Sequence, residues 1–94
     1  MKEIKMVSLS EAGLPTHPRD IIGKIFRFTI AGGYLVCGTI ISLGEEDDML
    51  QLGISNKHFR GGKIIGLIRT DKKWRLQVQH KDGDQLYDGN FGFL

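Results

Sequence analysis

Ninety-four residues leave room for one domain and one hydrophobic core, and leucine, isoleucine, valine and phenylalanine are numerous enough to fill it. Thirteen glycines scattered along the whole chain exclude long helices and point to an all-β protein. With 13 basic and 11 acidic residues the net charge is only +2, so the position of the charges carries more information than their total.

No apolar run is long enough for a membrane-spanning helix, and Lys2, Glu3 and Lys5 do not open a secretory signal. A cytoplasmic protein without a membrane partner is expected. The single cysteine, Cys37, makes no intrachain disulfide, which suits a reducing compartment.

Residues 1–22 read as an N-terminal arm. Ser8 and Glu11 have capping-box spacing, but Gly13, Pro15 and Pro18 limit any helix to about one turn, so an extended arm lying across a barrel is expected. Residues 23–94 read as the barrel domain. Phe26, Phe28 and Ile30 alternate with Arg27 and Thr29, the pattern of a half-buried strand, and Ala31, Gly32 and Gly33 follow as a turn. Tyr34 to Leu43 is apolar on both faces and carries Gly38 in its middle, as suits a long strand that bends to serve two parts of a sheet. Cys37, in this run, is expected to be a small buried hydrophobe.

Gly44 to Asp48 reads as an acidic turn, and Leu50, Leu52 and Ile54 mark a third strand. Asn56 to Lys63 is a loop closed by Gly61 and Gly62, and Ile64 to Arg69 a fourth strand interrupted by Gly66. After a tight turn at Asp71, Lys72 and Lys73, the residues Trp74, Leu76 and Val78 face inward while Arg75, Gln77 and Gln79 face out. Asp82 and Gly83 supply a hairpin turn. Phe91, Phe93 and Leu94 then require burial, either as a strand closing the last edge of the barrel or between chains in a homo-oligomer.

Short, closely spaced strands with one long bent member predict a small, strongly curved barrel of five to six strands. At the level of pattern, Lys24 to Thr70 resembles the SH3-like and Sm-like small barrels, in which a short strand, a glycine turn, a long bent strand and two more strands wrap one core. The resemblance implies a binding scaffold and nothing narrower.

Catalytic and cofactor signatures are missing. Gly61, Gly62 and Lys63 lack the earlier glycine and the following Ser or Thr of a phosphate loop, and no dinucleotide fingerprint occurs. His17, His58, His80 and Cys37 match no zinc spacing, and Asp82, Asp84 and Asp88 no calcium loop. A non-catalytic protein without metal or cofactor is expected.

Charge is the informative feature. Lys57 to Lys81 carries a net +7 and the rest of the chain −5. Such segregation favours a face that neutralises phosphates, with Lys57, Arg60, Lys63, Lys72, Lys73 and Arg75 as backbone contacts and Gln77 and Gln79 reading base edges. Phe59 and Trp74 lie in the same stretch, although the register of Trp74 with Leu76 and Val78 makes it a core residue first. RNA or another single strand is the expected partner, since no recognition helix exists to enter a major groove. The alternative is a protein adaptor or inhibitor that docks through Glu45, Glu46, Asp47 and Asp48, or through Phe91 and Phe93.

Overall fold

The computed structural model describes residues 6–46 and 49–94. Seven strands form one antiparallel system: β1 (Ile25–Ile30), β2 (Tyr34–Glu46), β3 (Met49–Ile54), β4 (His58–Phe59), β5 (Gly62–Thr70), β6 (Lys73–His80) and β7 (Gly83–Phe93). Their order is β3-β2-β1-β7-β6-β5-β4, and an additional β3–β5 pairing closes six of them into a barrel with β4 as an extra strand. The expected small barrel is present. Closure removes the open edges that an unclosed sheet of this size would expose to other chains.

Two strands make closure possible by changing partners along their length. The first half of β2 pairs with β1 and the second half with β3, with a bulge between Ile40 and Ser42 where the strand bends. In β7, Gly83 to Asp88 pairs with β6, and Gly89 to Phe93 pairs with β1. A Cβ at Gly89 would lie 2.4 Å from the carbonyl oxygen of Thr29 and 2.7 Å from the Phe28 ring, so only glycine permits β7 to cross there. A second bulge, at Ile64 and Gly66, lets β5 pass from β4 to β3; a Cβ on Gly66 would stand 2.4 Å from the Leu52 carbonyl oxygen.

The period-two residues fill the interior as their alternation predicts. Phe26, Phe28, Leu52, Leu76 and Val78 are at most 1% exposed, and each such side chain contributes about 1.5–3 kcal/mol on leaving water. Trp74 is half-buried against this core. Phe91 and Phe93 also pack on it, on a strand bonded to β1 of the same chain, so the intrachain form of the expectation holds for these two rings, whereas Leu94, expected to be buried with them, is 73% exposed.

Four local expectations are corrected. The N-terminal arm, expected to be extended apart from about one helical turn, is more folded than that: α1 (Met6–Glu11) is a six-residue helix, and a short 3-10 turn follows at Pro18–Asp20. Gly13 ends the helix, as expected, and does so as its C-terminal cap at φ 74, where the amides of Gly13 and Leu14 bond the carbonyls of Ser10 and Leu9. Leu9 and Leu14, brought together by that cap, are both buried and stopper one end of the barrel, where Arg69 Nη2 donates to the Glu11 carbonyl at 3.3 Å. Cys37 is exposed, on an outer face of β2 where Leu35 is exposed too and which no described element covers. The β6–β7 turn consists of Lys81 and Asp82, and Gly83 already pairs with His80. Finally, Gly44 to Glu46 continue β2 instead of forming a turn. No helix among the described residues is long and apolar enough to cross a membrane.

Candidate functional site

The strand β5 ends in a two-residue turn on either side. At one end Arg60 (φ 51) and Gly61 (φ 81) join the paired residues Phe59 and Gly62; at the other Asp71 (φ 52) and Lys72 (φ 63) join Thr70 and Lys73. Positive φ at both central residues is the hairpin geometry that matches strand twist. Nine residues at about 3.3 Å each separate these turns by up to about 30 Å along the strand. The basic stretch is therefore divided between two ends of the barrel.

At the Arg60 end, the loop after β3 is pinned by the Ile64 amide bonding the Lys57 carbonyl at 2.9 Å, which leaves Lys57 and Lys63 exposed beside each other's strands. His58 pairs with Lys63, and Lys63 with Gln79. Lys81 projects from the β6–β7 turn at the same end, so Lys57, Arg60, Lys63 and Lys81 gather there with Asp82 and Asp84 as the adjoining acids. An open groove of about 700 Å³ lies between β2, β3 and β5, lined by Ile41 and Ile65 together with Lys57, His58 and Lys63.

Beneath Arg60 lies a cluster of three rings. Phe59 is buried, and Tyr34 and Tyr87 stand edge-on to it on either side, each with centroids 5.2 Å away and planes near 80°. The Arg60 guanidinium sits 5.1 Å from the Phe59 centroid, 5.5 Å from Tyr87 and 5.9 Å from Tyr34, within cation–π range of all three. Tyr87 is held in place: its hydroxyl donates to Gln85 Oε1 at 3.2 Å and meets His80 Nε2 at 2.9 Å. Tyr34 is 57% exposed.

Between the two ends, the outward row of β6 is answered by acids of β7. Arg75 Nε bonds Asp88 Oδ1 at 2.8 Å, and Gln77 Nε2 donates to Asp84 Oδ2 at 3.1 Å. The expected pairing of Arg75 with phosphate and Gln77 with a base edge meets groups already engaged; Gln79, next to Lys63, is exposed. At the far end Lys72 and Lys73 flank Trp74, which stacks on Phe91 at 4.7 Å with planes 26° apart. That indole is half-buried and serves packing.

The alternative docking residues fare differently from their expectation. Glu45 is only 6% exposed, its side chain turned inward from β2, while Glu46 is exposed and Asp47 and Asp48 lie outside the described residues. Four carboxylates on one solvated loop do not result. Phe91 and Phe93 are committed to the core, so they present no free apolar end. Among the described residues no three His, Cys, Asp or Glu side chains come together as a metal site.

Tyr34 and Tyr87 were invisible as site residues in sequence. They are brought to Phe59 from strands β2 and β7, and only the closure of the barrel makes them neighbours. Compared with protein-family models, characterised proteins and solved structures, the chain matches none.

Proposed function

We propose that this protein is a non-catalytic binding module that takes single-stranded nucleic acid, RNA or DNA, at the Arg60 end of its barrel. One observation carries the reading: Lys57, Arg60, Lys63 and Lys81 lie at one end of the barrel, with Lys57 and Lys63 lining the open groove and Asp82 and Asp84 as the adjoining acids. A phosphate backbone gains by releasing its counterions to such a cluster. Lys72 and Lys73 are too far from this end to contact the same nucleotides and act as secondary contacts to a longer strand. The exposed thiol of Cys37 fits a reducing, cytoplasmic setting.

The test is fluorescence anisotropy with labelled single-stranded RNA, single-stranded DNA and duplex at several salt concentrations. Binding that prefers single strands and weakens steeply with salt is expected; no binding of any of the three at low salt overturns the proposal. A second reading, a protein adaptor, is favoured by the exposure of Ile41 and Ile65 along the groove, 58% and 46%. In that case Ile65→Ser abolishes partner binding and leaves oligonucleotide binding at background.

A further inference from the structure

The cations explain attraction for a phosphate chain but not preference for an unpaired one. We infer that Tyr34 is a base-stacking residue and that Arg60, laid over the three-ring cluster, is the fixed guanidinium that sets the adjoining phosphate. This inference rests on the nucleic-acid reading and names how that site recognises its ligand.

The rings differ in what they can offer. Phe59 is 6% exposed and has no face free for a ligand. Tyr87 is half-buried, and its hydroxyl is engaged with His80 and Gln85. Trp74 is stacked on Phe91 at the opposite end of the barrel. Tyr34 combines large exposure with a fixed orientation, because the edge of the Phe59 contact and the Arg60 guanidinium restrain its ring. An aromatic ring that is both exposed and already ordered gives up little conformational entropy when a base stacks on it. A base within a duplex has no free face, so such a contact selects single strands.

Arg60 is pre-set in the same sense. Its φ of 51 turns the side chain back over the rings, and cation–π contact with all three offsets the cost of that backbone geometry. The guanidinium keeps its N–H donors in a planar fork, suited to a phosphate in a way that a lysine ammonium is not. A cationic guest is disfavoured here, since Lys57, Lys63 and Lys81 share this end.

The experiment uses the full chain, a labelled oligo-dT and an oligonucleotide of the same length made of abasic residues. For Tyr34→Ala the affinity for oligo-dT is expected to fall about 5- to 150-fold with the salt slope unchanged, while the abasic strand binds wild type and variant alike. Tyr34→Trp should restore binding, and Arg60→Lys should weaken it while preserving the charge. Should Tyr34→Ala fold poorly, the Tyr34 ring protons of the wild-type protein provide the second measurement, shifting upfield with oligo-dT and not with the abasic strand. Equal binding of oligo-dT by wild type and Tyr34→Ala, or an unshifted Tyr34 ring in the bound state, overturns the inference while the salt-dependent site stands. Failure of the wild-type protein to bind either strand removes the underlying reading and the inference together.

Discussion

The two turns that bracket β5 have the same backbone geometry and opposite uses. Arg60 and Gly61 turn over an aromatic cluster with an exposed ring and a cation held above it. Asp71 and Lys72 turn beside Trp74 and Phe91, whose stacked rings are spent on holding β6 to the last stretch of β7. A basic residue beside an aromatic one thus occurs at both ends, and what separates them is whether the aromatic side chain has packing left to do. A charge sum along a strand says little until the topology shows which cations share an end and which carboxylates face them.

The sharpest separation comes from removing charge at one end at a time. Lys57→Gln, Lys63→Gln and Lys81→Gln together should lower oligonucleotide affinity on the order of a hundredfold at low salt and reduce the salt slope by about 2, at roughly 0.7 per lost contact to a single strand. Lys72→Gln with Lys73→Gln should change either quantity far less, as read by anisotropy over a salt series. If the two sets behave alike, the division into a binding end and a packing end fails.

Stability reverses the order. Phe91→Ala should cost about 2–3 kcal/mol, below the value for a fully buried ring because Phe91 is half-buried, and should leave oligonucleotide binding intact under folding conditions. Tyr34→Ala should cost much less stability, because more than half of that side chain is already in water. Urea melts of both variants supply the measurement.

A smaller effect is expected between the ends. Asp84→Ala with Asp88→Ala frees Arg75 and Gln77 from their present partners and should strengthen binding a few-fold while raising the salt slope by about 0.7. Unchanged binding would confine the contact surface to the Arg60 end. The exposed Arg75–Asp88 pair itself is worth under about 1 kcal/mol, so stability should barely move.

The smallest effect concerns the turns themselves. Lys72→Gly places a residue indifferent to positive φ at φ 63 and should stabilise the protein by about 0.5–1 kcal/mol. Arg60→Gly relieves the same backbone cost but loses three cation–π contacts, and thermal melting should show no gain.

The strands with clean alternation were legible because a barrel strand has one dry face and one wet one. Phe26, Phe28 and Ile30, Leu50, Leu52 and Ile54, and Leu76 and Val78 all stand inside as their spacing required. The first half of β7 was not: Asp84, Gln85 and Leu86 are exposed and leave no periodic trace. Helix α1 was legible as about one turn limited by Gly13, but not the fold-back of Leu14 that this glycine permits as a cap, which needs a core to receive the leucine. Cys37 was misplaced by an apolar run whose outer face turned out to be uncovered. Of the candidate site, the excess of basic residues was plain in the sequence. Its division into two ends depends on strand length and turn position, the acids opposing Arg75 and Gln77 on the β6–β7 register, and the ring cluster on contacts between three distant segments.

The switch of β7 from β6 to β1 also governs the order in which the molecule can assemble. The β1–β2 and β5–β6 hairpins join near neighbours in sequence, whereas the partners across β1 and β7 lie roughly sixty residues apart. Until that distant pairing forms, one edge of β1 is bare, and Phe26 and Phe28 lack the wall that Phe91 and Phe93 provide. Slow folding on the millisecond-to-second scale follows from this non-local closure, along with a transient species prone to join its open edge to another chain. Glycine at position 89, by permitting the crossing, is thus a determinant of folding yield as much as of final stability.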